Sequence, residues 1–564
     1  MLIGAVVVLP RSYAIAQAHS ATYDEAYHLR RGLHFLTRSL GASDLELNDP
    51  PLGEGIVAIP LLISNVLDGR TVTDDRLYDR PGRAEMVAGR VALWNSSLFV
   101  GFLAIVFSWC RRLYDAGTAA LATTLFAVEP NFAAHIPLAT LDVLGVEGIV
   151  IAALLAWRYF EHPTIGRLLG VGFAVAAALL IKHTAVILPM VVLGFAGLHW
   201  VFLPWLKRQD ASEWKRAVPG RLGSLGLLAI FVVIGLFSLS LFDFSPPMNR
   251  AAVERQSLGN NGAPISPSKE RRVALERALK LDHNWPAGCY WRAFRTGMGH
   301  GVSGHRGYLN GEWREQGWWN YFPIVASYKV PLGVALFFGL AVVSLGFVRP
   351  RWAEWGLFLP MVAWTLFMLN SRVNLGFRHF LPAYAFMLML GSRWLLDARV
   401  LMRSLGWVIA AAAALHPLVY HPDYLCYMNA PWKKPYLAIS DCNVDWGQSL
   451  KEVRAWLGAR PDDGRPVFLY YFGSEEGSEN YYLSGRVTLL SKGSPRPDSG
   501  VLLISPVRVV EIFEDGQNYG ALAQHEPDAV IGHSILVYDL DRLQIETGFR
   551  WPAPAPGPMA ERKR

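Results

Sequence analysis

Apolar runs long enough to cross a membrane recur along this chain, and most charges between them fall in short connections, every second of which is basic. A helix of about 20 apolar residues spans a hydrocarbon core with all its backbone hydrogen bonds made internally, so the repetition dictates a polytopic α-helical membrane protein. Runs of this kind lie at Val87 to Trp109, Ala116 to Ala134, Leu138 to Trp157, Leu168 to Ile181, Thr184 to Leu206 and Leu222 to Phe242. Four more follow at Val330 to Val348, Trp355 to Leu369, Leu381 to Leu396 and Leu405 to Tyr420. With a first anchor at Leu2 to Gln17 they predict about eleven transmembrane helices. The anchor is interrupted by Pro10-Arg11 and has no convincing small-residue cleavage site, so it reads as a retained helix and not a signal peptide. Gly55 to Leu67 is too short for a full span and suits an interfacial or re-entrant helix.

Composition agrees: 52% hydrophobic and 18% charged residues, with mean hydropathy +0.24, are too apolar for a soluble enzyme of 564 residues. The net charge of +7 does not point to nucleic acid, because Lys and Arg are spread over the connections without a basic tail or an aromatic-interleaved patch. They act as topology signals. The pairs Arg111-Arg112, Arg158 with Arg167, Lys207-Arg208, Arg349 with Arg351, and Arg393 with Arg399 and Arg403 assign their connections to the cytoplasm. The first loop (19–86), the long loop (243–329), Ser371 to His379 and everything after Tyr420 then share the extracytoplasmic side. No repeat of fixed period stands out, which weakens a transporter built from duplicated halves. The four cysteines form no metal-binding or redox spacing, although Cys426 and Cys442 can pair if their segment is extracytoplasmic.

The first loop carries the densest chemistry. Asp24 and Glu25 stand side by side just after an apolar run, where a general base can reach both an aqueous acceptor and a lipid headgroup. The alternative is a helix N-cap with an acidic first turn. His28 and Asp49, the latter leading the rigid Asp49-Pro50-Pro51-Leu52, are candidate acceptor or donor contacts. Asp142, at the outer end of a span, is a second membrane-edge carboxylate facing the same side. Candidate cations for a phosphate at headgroup level are Arg90, which opens the next span, Arg306, Lys329, and Arg378 with His379. Lys329 stands out because it lies on the external side against the positive-inside trend; Arg372 reads as a snorkelling anchor. Within the long loop, Ser268 to Lys280 predicts a charged helix, and the tryptophans beyond it suit an aromatic belt.

After Tyr420 the chain predicts a small extracytoplasmic α/β domain over 421–564, distinct from a transmembrane domain over 1–420. It has an amphipathic helix from Gln448 to Leu457 and strands at Val467 to Phe472, Val501 to Ser505 and Ile535 to Tyr538. It carries no phosphate loop, nucleophile elbow or metal-ligand spacing, so acceptor binding or structural support is its expected role, and Asp445-Trp446-Gly447 reads as a helix-start turn.

Taken in order, YDE in the first loop, Pro-Pro-Leu, GR at the next span, PNFAAHIPLATLD, IKHTA, YKVPL, NLGFRHFLP and NVDWGQSLKEVRAWL resemble the bacterial protein O-mannosyltransferase and aminoarabinose lipid A transferase superfamily. The resemblance covers nearly the whole chain. It implies a C-type glycosyltransferase fold in the bacterial inner membrane, active on the periplasmic side, with a polyprenyl-phosphate-linked sugar as donor and a protein, lipid or polysaccharide as acceptor. It further implies Asp24 as catalytic base with Glu25 beside it, and Arg90, Asp142, Lys329, Arg378 and His379 around the donor phosphate and sugar. One departure is Asp49, where the family commonly has His or Lys before Pro-Pro-Leu.

Such a reaction needs a base for the acceptor hydroxyl and cations for the charge growing on the departing phosphate; a single displacement inverts the anomeric centre. No cofactor is expected. Asp24, Glu25 and Asp142 can gather a divalent cation, but the basic residues can do that work unaided, so no essential metal is expected either. The competing reading is a lipid-linked sugar flippase or other secondary transporter, which would place charge deep in the spans and not mainly at their outer ends.

Overall fold

A computed structural model describes residues 2–38, 49–208, 210–246, 284–395, 400–430, 433–473, 477–491, 493–510 and 519–552. The helix expected at 268–280 lies outside the described residues. The chain opens with α1 (Leu2–Ala18), α2 (Glu25–Thr37), α3 (Pro51–Leu67) and α4 (Arg83–Leu113). It continues through α5 (Ala116–Val128), α6 (Pro130–His135), α7 (Asp142–Glu161) and α8 (Ile165–Ile181). Among the described residues five helices are long and apolar enough to cross a membrane: Arg83–Leu113, Asp142–Glu161, His183–Leu206, Ala211–Leu239 and Trp352–Leu369. A sixth arises if Tyr321–Lys329 and Leu332–Ser344, bent by 119°, form one broken span. Pro51–Leu67, Ala116–Val128 and Ile165–Ile181 are shorter apolar helices.

Prolines decide where several runs break. The span expected over Ala116 to Ala134 stops at Val128, because Glu129 precedes Pro130 and adopts an extended conformation (φ −66°, ψ 124°). Pro130 then starts α6, whose N-terminus Glu129 caps by accepting from the Phe132 amide at 2.8 Å. The irregular stretch after α6 delays the next helix from the expected Leu138 to Asp142, which places a carboxylate in the first turn of an apolar helix. Pro331 likewise ends Tyr321–Lys329, with Val330 extended.

The described strands form two two-stranded sheets and one five-stranded sheet. β1 (Phe244–Ser245) pairs with β2 (Trp285–Pro286), and β3 (Gly307–Leu309) with β4 (Glu312–Arg314), both antiparallel. β5 (Val467–Tyr470), β6 (Thr488–Leu489), β7 (Val501–Ile504), β8 (Ala529–Ile531) and β9 (Ile535–Asp539) form a mixed sheet in the order β6-β5-β7-β9-β8. The three predicted strands are its three inner members, and the predicted amphipathic helix is Leu450–Ala459.

The sheet is buried on both faces, and strand alternation assigns each face a partner. Leu502, Ile504, Leu536, Tyr538 and Tyr470 join the apolar core that runs through the membrane helices. Val501, Leu503, Ile535, Val537 and Leu469 pack instead with Leu450, Val453 and Leu457 of the amphipathic helix. All four residues of β7 are therefore buried, which explains its unbroken apolar run in the sequence. The disulfide considered for Cys426 and Cys442 does not form: both are free thiols, directed at the carbonyls of Val444 and Leu375.

Candidate active site at the membrane mouth

Asp24 sits at the N-cap position of α2, yet its side chain makes no capping hydrogen bond. Glu25 instead binds donors outside the helix. Its Oε1 accepts from the amide of Thr22 at 2.8 Å and from Thr22 Oγ1 at 3.1 Å, and its Oε2 accepts from the amide of Ala139 at 2.8 Å. Burial raises the pKa of Glu25, with these donors opposing the shift. Glu25 thus ties the start of α2 to the chain between α6 and α7, while the Asp24 carboxylate stays 32% exposed.

Facing Asp24 is a compact set of charges. Arg378 Nη1 lies 3.7 Å from Asp24 Oδ2 and 3.5 Å from Asp142 Oδ2, and the Lys182 amine also pairs with Asp142. The Arg378 guanidinium stacks over the Trp446 ring, 4.2 Å from its centroid. Backbone chemistry fixes this arginine: Asn443 Oδ1 accepts from the amide of Phe377 at 2.9 Å. Gly376 adopts φ 127°, and a Cβ there would lie 2.5 Å from Cys442 Sγ, so only glycine lets the two segments approach. Beside it, burial together with Arg378 and Lys182 lowers the pKa of His379 well below its ordinary value, which keeps the imidazole neutral. Its Nε2 is buried without a partner.

A second group lies where α2 crosses α3. Glu54, fully buried, accepts from His28 Nδ1 at 3.0 Å and pairs with Arg31. Arg31 also reaches Asp49 at 3.4 Å, and His183 Nε2 stands 4.0 Å from the other Asp49 oxygen. The ligand atoms of His28, Asp49 and Glu54 lie within 4.8 Å of one another, close enough for a cation. Arg31 already supplies the positive charge there.

The remaining expected cations go elsewhere. Arg90 donates to Ser64 Oγ at 2.7 Å on the α3–α4 contact, and Arg306 lies over the Trp313 ring with Glu315 at 3.6 Å. Lys329 is buried, its amine donating to the carbonyls of Leu425 at 2.8 Å and Asn443 at 2.9 Å. Two of its three donors therefore hold the chain after the last span, and Asn443 links it indirectly to Arg378. Sequence reasoning passed over Lys182, His183 and Trp446. The signal for the first two was a Lys-His pair between two apolar runs. Trp446 had none beyond its motif, because its contact with Arg378 joins distant segments.

The family model for dolichyl-phosphate-mannose-protein mannosyltransferases matches residues 90–234. The matched stretch runs from within α4 to within the helix Ala211–Leu239. No curated protein matches the chain. Among solved structures, apo ArnT from Cupriavidus metallidurans is similar at 12% identity, covering 95% of this chain and 97% of its own, with TM-score 0.31. ArnT from the same organism bound to undecaprenyl phosphate gives 11% identity, 95% and 97% coverage, and TM-score 0.30. The Archaeoglobus fulgidus oligosaccharyltransferase tethered with an acceptor peptide gives 11% identity, 87% and 64% coverage, and TM-score 0.39.

Proposed function

We propose that this protein is an inverting glycosyltransferase of the bacterial inner membrane, moving a sugar from a polyprenyl-phosphate-linked donor to an acceptor hydroxyl on the periplasmic side. The observation that carries the reading is the uncapped, partly exposed Asp24 carboxylate 3.7 Å from Arg378, with Lys182 a step behind on Asp142. Asp24 takes the acceptor proton as the C–O bond to the phosphate breaks and the acceptor oxygen bonds to the anomeric carbon. The leaving phosphate carries away the bonding pair, and Arg378 and Lys182 stabilise it. Both already pair with Asp142, which holds them in place for an incoming anion, and His379 offers a neutral nitrogen beside them. Glu25 is a positioning residue in this scheme. Two fixed cations at the mouth support transfer without an essential metal.

The test is sugar transfer by purified, detergent-solubilised protein from a polyprenyl-phosphate donor, wild type against Asp24→Asn. The reading expects transfer by wild type that disappears in the variant. Near-normal turnover of Asp24→Asn would remove the base assignment, and donor-independent substrate movement in liposomes would favour a flippase.

A further inference from the structure

A second cluster of ligand-type side chains lies at the junction between the end of α1, the turn after the last span, and the C-terminal sheet region. His19 Nε2 lies 2.8 Å from Asp423 Oδ1 and 3.9 Å from Glu452 Oε1, and the three ligand atoms fall within 4.8 Å of one another. His533 Nδ1 lies 2.7 Å from the second Asp423 oxygen. These four side chains come from four separate segments of the chain. His19 follows α1, Asp423 lies just before Tyr424, Glu452 is in the first turn of Leu450–Ala459, and His533 is in the turn between β8 and β9.

Charge separates this cluster from the others. Among the described residues no Lys or Arg forms an ion pair with Asp423 or Glu452, whereas Asp142 has Lys182 and Arg378, and Glu54 has Arg31. Two carboxylates thus share a largely buried site with imidazoles as their partners, and Glu452 Oε2 is a buried atom with no hydrogen-bond partner. His19 and Asp423 are 6% and 5% exposed. Close carboxylates in such surroundings repel one another unless a positive charge joins them. Tetrahedral zinc with nitrogen and oxygen ligands at about 2.0 to 2.2 Å has ligand–ligand edges of roughly 3.4 Å. The separations of 2.8 and 3.9 Å bracket that edge, so small side-chain shifts suffice. Two carboxylates with the neutral His19 imidazole also cancel the charge of one divalent ion.

We propose that His19, Asp423 and Glu452 bind a structural divalent metal of the zinc class that staples the C-terminal sheet region to the membrane helices, with the half-exposed His533 steadying Asp423 through its second oxygen. The set has two acidic oxygens and one imidazole nitrogen, a mixture that suits zinc or cobalt better than calcium or magnesium, which favour all-oxygen sites. Its place explains why a tie is needed there. His19 lies five residues before Asp24, and the backbone between them runs against the sheet region through Ser20 to Gln448 and Tyr23 to Trp446, each amide donating at 2.9 Å. A metal fixing His19 to Asp423 and Glu452 fixes the segment that presents Asp24. The metal takes no part in sugar transfer.

The test is metal analysis of full-length protein purified without chelators or immobilised-metal resin, followed by chelation and titration with Zn(II) or Co(II). The expected result is close to one zinc per chain in wild type, loss of at least nine-tenths of it in Asp423→Asn and Glu452→Gln, and a higher melting temperature when Zn(II) is returned to chelated wild type. Co(II) should give a visible d–d spectrum in wild type that both variants lose, a readout that needs no activity. Asp49→Asn should keep the metal, since the His28, Asp49 and Glu54 group is already served by Arg31. The proposal is overturned if wild type holds no zinc and neither Zn(II) nor Co(II) shifts its melting or spectrum, or if Asp49→Asn and not Asp423→Asn loses the ion. Should both junction variants fail to fold, the titration of chelated wild type alone decides the matter.

Discussion

The mouth cluster of Asp24, Asp142, Lys182 and Arg378 and the junction cluster of His19, Asp423, Glu452 and His533 lie at opposite ends of the same short stretch, yet they balance charge in different ways. At the mouth, Asp142 is held by two permanent cations, and Asp24 is left partly exposed with one of them 3.7 Å away. At the junction the partners are imidazoles, whose charge depends on pH or on a bound ion. A site that must stabilise a leaving phosphate benefits from Lys and Arg charges already held in place, whereas a site that joins two regions can rely on a metal or proton. The mouth should therefore fail by losing rate and donor affinity, and the junction by losing stability.

The largest expected effect is at Asp24. Asp24→Asn should cut transfer by about a hundredfold to ten-thousandfold with melting temperature and donor binding nearly unchanged, since the amide keeps the shape and loses the base. A matching loss in thermal stability would turn the mouth into a structural cluster like the other.

Next comes Arg378→Ala, expected to weaken polyprenyl-phosphate binding by about one to two decades, as suits a charge-assisted contact worth roughly 1.5 to 3 kcal/mol. Lys182→Ala should do the same, and the double variant should depart from additivity because both cations share Asp142 and the same anion. Titration of solubilised protein with the lipid phosphate measures all three. Lys329→Ala sharpens the contrast: its amine holds two carbonyls, so it should lower melting temperature more than donor affinity.

The smallest expected effect is a pH dependence in the α2–α3 lock. Burial disfavours charge on His28, but Glu54 and the nearby Asp49 and Asp24 prevail and raise its pKa above the ordinary 6.5. A raised folded-state pKa adds stability that is fully present below 6.5 and is lost as pH rises through the folded value. Melting temperature should therefore fall across that upward window, and His28→Gln should flatten the fall. An unchanged slope in His28→Gln would assign the pH response to other groups, with the junction histidines the first to test.

Much of the architecture was legible because it rests on local rules. Apolar length announces membrane helices, and the apolar strand cores at Val467, Val501 and Ile535 follow from runs that can be buried on two faces, whereas the break at Glu129-Pro130 was passed over by a span expected to run through it. The count of about eleven helices rested on run length alone, and five or six of the described helices meet that criterion for a full span. Asp24, Asp142, Arg378 and His379 were also legible, as charges at the outer ends of apolar runs, where burial makes any ionisable group conspicuous.

What the sequence by itself determined, then, is which residues stand at the membrane edge and on which elements. Which carboxylate stays open, that Glu25 and not Asp24 takes the backbone amides, that Lys182 joins Asp142 while Lys329 turns inward to two carbonyls, and that Trp446 supports Arg378 were decided only by the tertiary structure. The reason is physical: a charge finds its partner through space, over separations such as Lys182 to Asp142 or Arg378 to Asp24, and no local periodicity encodes which of several nearby opposite charges packing will bring within reach.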